Sequence, residues 1–231
     1  MNTSKNKKLV IFGNSDFAHL VYYYFDTDSD YNVEAFCVDD EYLNAKSFDN
    51  LPLIPYSRLK KEYPPETTYL FVAIGYKKLN SIRENIFNKL KSMGYKFANY
   101  IHGSNISPPH KDFSIGENCL ILENNVIQPF SKIEDDVIIW SNSFIAHEAI
   151  IKKHSFIASN VSIGGYTEVG ESCFIGMSTT LRDKIKIGKK CLIGAGLTIL
   201  KDTDDFSVYI NSKCQPLKMN SNEYFAKGHD I

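Results

Sequence analysis

Several features that would settle the class of a protein at once are missing from this sequence. No apolar run approaches the 18 or more residues of a membrane span. The first eight residues (MNTSKNKK) are polar, not a charged stub leading into an apolar signal core. A cytoplasmic location without a membrane partner is therefore expected. Charge of one sign is not in surplus: 26 basic side chains face 27 acidic ones, for a net charge of −1, which leaves no electrostatic footprint for nucleic acid. Cysteine is scarce and shows no pairing pattern. Cys37, Cys119, Cys173, Cys191 and Cys214 are odd in number, widely spaced and without a C-x-x-C pair. Reduced thiols fit that pattern better than a disulfide frame or a zinc site, and no metal is expected. What remains is of globular proportion: 231 residues, 43% hydrophobic and 23% charged. That excludes disordered, collagen-like and coiled-coil chains and allows one large domain or two small ones.

The two halves follow different periods. Up to about residue 105, strand-like runs alternate with helical ones: 8–12 (KLVIF) closing on Gly13, a helix over 18–25, a strand over 33–38 ending at Asp39-Asp40, a strand over 68–74 (TYLFVAI) closing on Gly75, and a helix over 80–93 closing on Gly94. This order predicts a Rossmann-like α/β domain over 1–105, with a parallel sheet and a ligand at the carboxyl ends of its strands.

From Ile115, every sixth residue through Ile199 is a branched aliphatic, fifteen positions in phase. Neither a helical nor a simple strand period demands so long a column. A hexapeptide β-helix does, because each six-residue unit forms one side of a triangular coil. Fifteen units make about five coils of eighteen residues, placed over 106–212 and followed by a polar tail over 213–231. Two residues before each aliphatic the column is mostly small, including Cys119, Cys173 and Cys191, which are expected inside as inert thiols. Glycine follows the aliphatic at Gly116, Gly164, Gly170, Gly176, Gly188 and Gly194, where sharp bends are expected.

These hexads resemble those of the left-handed β-helix acyltransferases. The preceding α/β half, the glycine turn after the first strand, Asp39-Asp40, the V-A-I-G stretch at 72–75, His147-Glu148 and Gly164-Gly165 narrow the resemblance to the N-acetyltransferases of nucleotide-linked 4-amino sugars and their sialic acid O-acetyltransferase relatives. The resemblance covers nearly the whole chain, to about Ile210. It implies a homotrimer with active sites between neighbouring β-helices, acetyl-CoA as donor, and direct attack of the sugar amine without an acyl-enzyme.

Acyl transfer to an amine needs a base near neutral pKa and an N–H donor where the carbonyl oxygen gains charge. His147 follows Ile145 by two residues, which sets it at a coil corner, with Glu148 beside it to orient the imidazole and stabilise its charged form. Gly165 lies eighteen residues on, one coil and roughly 4.8 Å along the axis. By resemblance, His147 is the general base, Glu148 its acidic partner and Gly165 the amide that contacts the acetyl carbonyl, next to Gly164. His154 takes the place of a second histidine found in many relatives, while a third is replaced by Phe156. A coil-corner or interface role is the competing reading for His154. Coenzyme A is expected along the β-helix edge near Gly176, Gly194, Ala195 and Gly196. The G-x-P-A turn of many relatives is absent from 210–216 (INSKCQP). His19, His102, His110 and His229 have no comparable geometric argument.

In the first half, Gly13, Asn14, Ser15 and Asp16 lie between a strand and a helix. Only the first glycine of a G-x-G-x-x-G fingerprint is present, which disfavours NAD and a dehydrogenase. A helix N-terminus can still face the pyrophosphate of a nucleotide sugar. Asp39 and Asp40, equally placed after the second strand, are candidates for the nucleoside, Gly75 for the same ligand, and Asp16 alternatively for an N-cap. The expected activity is N-acetylation of a UDP- or dTDP-linked 4-amino-4,6-dideoxy sugar for surface-glycan (lipopolysaccharide O-antigen) synthesis. Sugar O-acetylation and a non-catalytic trimeric scaffold are the alternatives. Trp140 and Phe130 are expected at subunit contacts.

Overall fold

The computed structural model describes residues 5–105 and 112–211. His110, Cys214, His229, the tail over 213–231 and most of the 210–216 run lie outside these residues.

The N-terminal half opens with β1 (Lys7–Phe12), α1 (Asp16–Thr27) and β2 (Tyr31–Val38), continues through β3 (Ser47–Phe48), β4 (Leu51–Pro55) and α2 (Tyr56–Glu62), and closes with β5 (Thr68–Val72), α3 (Ser81–Ser92) and β6 (Lys96–Phe97). The sheet order is β3-β4-β2-β1-β5-β6, parallel except for the β3–β4 pair. The order reverses beside β1, so a crevice opens outside the carboxyl ends of β1 and β5. β1 reads KKLVIF and is buried over its last four residues, the near-continuous apolar pattern of a strand covered on both faces. β4 and α2 escape the sequence reading because Pro52 and Pro55 break the strand pattern, and Pro55 is the residue that caps α2.

After β7 (Tyr100–Ile101), fifteen two-residue strands from β8 (Ser114–Ile115) to β22 (Thr198–Ile199) wind five times round a triangle, and β23 (Val208–Tyr209) follows. They form one seven-stranded and two five-stranded parallel faces of a left-handed β-helix. β7 pairs with β9 (Leu120–Ile121), so the β-helix begins a few residues before the boundary expected at 105. The aliphatic column fills the interior: Ile121, Ile145, Ile157, Ile163, Val169, Ile175 and Ile193 are fully buried. The small column packs beside it, with Cys119, Cys173 and Cys191 at 0% exposure. Burial pushes the Cys119 and Cys173 thiols up to about 12, far from the thiolate a nucleophile needs.

The corners correct one expectation. Positive φ falls not on the glycines after the aliphatics but three residues after each aliphatic, at every sixth residue from Asn118 to Lys190, all non-glycine, and then at Gly196. The glycines answer a different need. A Cβ on Gly176 would sit 2.6 Å from the Ala195 nitrogen of the next coil, so the coils stack too closely there for any side chain.

The seven-stranded face carries the N-terminal domain. Leu120, Leu122, Ile138, Phe156 and Ala158 share one core with Val21, Phe25, Phe36 and Phe71. Trp140, expected at a subunit contact, instead packs at this junction, 6.4 Å from both Phe17 and Phe156. Phe130 is 63% exposed.

Candidate active site

The turn that follows β13 (Phe144–Ile145) carries His147, exposed, with its backbone N–H held by Gln128 Oε1 at 3.0 Å. One coil on, Gly165 lies directly beside the imidazole: a Cβ there would be 3.0 Å from His147 Nε2 and 3.1 Å from Cε1. The Gly165 carbonyl accepts from Lys184 N at 2.9 Å, while its N–H has no hydrogen-bond partner among the described residues. Tyr166 stands edge-on to the imidazole at 5.2 Å. Base and free amide thus share one corner, one rung apart. Glu148 occupies the positive-φ position, φ 58, and among the described residues no hydrogen bond or ion pair joins its carboxylate to the imidazole. Gly164 is on the same corner, against Asp183 of the next coil.

His154 is not brought to this corner. Seven residues after His147 it occupies the phase of Glu148 on the next corner, with φ 62. It is 2% exposed, and its Nδ1 lies 2.8 Å from Asp136 Oδ2. Its carbonyl accepts from Arg83 at 2.7 Å. The side chain is held in the domain junction, on the corner next to that of His147 and Gly165. Gly176, Gly194, Ala195 and Gly196 lie on the third corner, after the seven-stranded face, so no single coil edge unites them with His147.

The first-half loop forms a cleft of about 280 Å³ at the carboxyl ends of β1, β2 and β5, lined by Gly13, Asn14, Ser15, Asp39, Tyr42 and Lys77 among others. Gly13 has φ +134, and a Cβ on it would stand 2.7 Å from the Ala73 carbonyl oxygen; only glycine fits between these strands. Ser15 is the N-cap of α1 and makes no side-chain capping bond, leaving its hydroxyl and the helix N-terminus toward the cleft. Asp16 is the first helical residue, not the cap. The acidic pair divides. Asp39 stands at the cleft, 3.4 Å from Lys89 Nζ, whereas Asp40 Oδ1 accepts from Ser57 N at 2.9 Å, and that amide holds the Asp40 carboxyl below its usual value. Lys77 and Tyr42 were not singled out from sequence; Lys77 could have been, as a cation two residues past the V-A-I-G turn.

Gly75 and Asp16 line an adjoining apolar cleft of about 450 Å³ with Phe17, Tyr76, Trp140 and Phe156. The Trp140 indole N–H is buried there without a partner among the described residues. His19 and His102 have local partners, Asp49 and Ser104, each at 2.8 Å.

An α/β domain with a cleft at the carboxyl ends of its strands, fused to a five-coil β-helix bearing a histidine–glycine corner, defines the class of hexapeptide-repeat proteins. Residues 114–147 and 130–165 match the bacterial transferase hexapeptide family model, 166–201 the hexapeptide repeat of succinyl-transferase, and 8–90 the PglD N-terminal domain. The chain thus carries bacterial-transferase hexapeptide repeats over 114–201 behind a PglD-type N-terminal domain over 8–90. Among solved structures it is similar to the acetyltransferase domain of PglB from Neisseria gonorrhoeae FA1090 (24% identity, TM-score 0.77, covering 88% of this chain and 96% of that one). PerB from Caulobacter crescentus, in complex with CoA and GDP-perosamine, is similar at 23% identity and TM-score 0.75 over 87% of this chain and 92% of that one. WeeI from Acinetobacter baumannii AYE follows at 19% identity and TM-score 0.71, over 87% and 95%. Among the described residues no helix is long and apolar enough to cross a membrane.

Proposed function

We propose that the chain is an acetyl-CoA-dependent N-acetyltransferase that acts on a nucleotide-linked 4-amino-4,6-dideoxy sugar. The observation that carries this reading is the approach of His147 Nε2 to the space above Gly165, whose N–H has no partner among the described residues. His147 takes the proton from the sugar amine as the nitrogen attacks the thioester carbonyl, and the Gly165 N–H stabilises the oxyanion. The intermediate collapses by breaking the C–S bond, and His147 returns the proton to the departing thiolate, so the products are the amide and free CoA. Glu148 and Gly164 support that corner.

The nucleotide occupies the cleft of Gly13, Asn14, Ser15 and Asp39, with the pyrophosphate on the N-terminus of α1 and near Lys77; Gly75 and Asp16 face the sugar side. The ligands named in the structures of PglB and PerB, acetyl coenzyme A for one and CoA with GDP-perosamine for the other, agree with this assignment. The corner bearing Gly176, Gly194, Ala195 and Gly196 meets His147 only if a second copy supplies one of the two edges, which supports a homotrimer with CoA held between neighbouring β-helices. A soluble cytoplasmic enzyme of surface-glycan assembly follows from the same reading.

The test is incubation with acetyl-CoA and UDP-, dTDP- or GDP-linked 4-amino sugars, following free thiol. Turnover with at least one amino sugar, lost on the order of a hundredfold in His147→Asn, is the expected result. Failure with every amino sugar, or unchanged turnover in the variant, overturns the proposal.

A further inference from the structure

His154 has no part in the acyl-transfer step proposed above, and at 2% exposure it is the most buried histidine among the described residues. Its Nδ1 side is committed to Asp136 Oδ2, one coil back. The other ring nitrogen, Nε2, has no hydrogen-bond partner among the described residues, and Glu171 and Ser172 follow one coil on. One ligand atom each from His154, Glu84 and Glu171 lies within 4.8 Å of the others. No hydrogen bond or ion pair among the described residues joins His154 to either glutamate, so the three side chains are gathered within ligand reach without satisfying one another. Such a meeting of acceptors is unfavourable unless a cation sits among them.

We propose that Glu84, His154 and Glu171 form a binding site for a divalent transition-metal ion. The donor set, one imidazole and two carboxylates, matches Zn²⁺ with three protein ligands and a further position for water. The outer partners that such sites use are also present. Asp136 fixes the histidine tautomer with Nδ1–H as donor, and Ser172 Oγ donates to Glu84 Oε2 at 2.9 Å, the carboxylate–histidine and hydroxyl–carboxylate supports that orient ligands and raise their basicity. His154 is held rigidly, at 2% exposure and against Phe87, while the exposed Glu171 is free to swing onto the ion. The ligands come from both domains, Glu84 from α3 and the other two from one corner of the β-helix. The ion therefore ties the PglD-type domain to the β-helix, and the site is independent of the acyl-transfer reading.

The experiment uses the full chain without a histidine tag, stripped with chelator and then titrated with Zn²⁺ alone or Co²⁺ alone. Calorimetry gives stoichiometry, visible absorption reports Co²⁺ coordination, and thermal unfolding reports linkage. The expected result is one ion per chain, a raised unfolding midpoint, and affinity weakened at least tenfold in Glu171→Gln and in Glu84→Gln. Glu171 is on the surface, so its variant folds. Absence of stoichiometric uptake by the unaltered protein, or uptake that survives both substitutions, overturns the proposal.

Discussion

At the scale of single residues, the decisive contacts involve glycines that cannot be replaced. Gly165→Ala puts a methyl group 3.0 Å from His147 Nε2, so the imidazole must shift by a few tenths of an ångström. Displacements of this order at a catalytic group cost about ten- to a hundredfold in rate. The expected outcome is a kcat loss in that range with an unchanged unfolding midpoint, measured by thiol release and by thermal unfolding. Gly13→Ala meets both a left-handed φ of +134 and the Ala73 carbonyl at 2.7 Å. It should lower stability by about 1–3 kcal/mol, readable by urea denaturation, and weaken nucleotide binding because the loop must move. Asp39 and Asp40 illustrate why residue type alone is ambiguous: the two are chemically equal in sequence, and only the Ser57 amide, donated from α2, removes Asp40 from the cleft.

At the scale of elements, α3 is bound to the β-helix by a buried polar network. Arg83, at 0% exposure, donates from Nε to Asp136 Oδ1 at 3.0 Å and from Nη2 to the carbonyls of Asp136 and His154. Asn118 adds a bond to the same carboxylate at 2.7 Å and accepts from the Val72 N–H of β5 at 2.8 Å. Every member is satisfied, which is what makes removal of one costly. Arg83→Met leaves Asp136 buried and uncompensated and should destabilise by about 3–5 kcal/mol. Arg83→Met combined with Asp136→Asn should lose less than the sum of the single changes, a coupling that a double-mutant cycle in urea measures directly.

At the scale of the whole molecule, a shared core and several polar ties make the two domains one unfolding unit, so a single calorimetric transition is expected. Acid should weaken that junction. Burial raises the Glu123 carboxyl, but hydrogen bonds from Tyr24 and Ser141 outweigh burial and hold it below the usual range. Asp135 is likewise held down, its burial outweighed by Lys91 and the Glu117 amide. Groups whose folded pKa is depressed stabilise fully above the unfolded value of about 4 and lose that contribution as pH falls through the folded value. The unfolding midpoint should therefore drop as pH falls below about 4. Glu123→Gln should give a shallower decline; an unchanged slope would show that the Tyr24 contact carries none of it. At neutral pH, sedimentation should report a mass of three chains.

The hexad phase was legible because a triangular coil repeats one demand, an inward aliphatic, every six residues, and no local alternative satisfies it fifteen times. The same regularity placed His147 and Gly165 on a shared corner, since eighteen residues is one turn wherever the coil starts. The α/β alternation was equally local, and what escaped it was the proline-broken β4, the short α2 and the two-residue strands β3 and β6. What the chain order could not carry is whatever depends on the two domains meeting. Trp140 reads as a surface aromatic until the PglD-type domain covers its face. His154 reads as a companion of His147 until one extra residue of phase and the Arg83–Asp136 pair turn it inward, and Glu84 acquires histidine and glutamate neighbours seventy or more positions away only when α3 docks on the coil. Local periodicity is written residue by residue, whereas burial and charge at a junction exist only once two surfaces have been brought together.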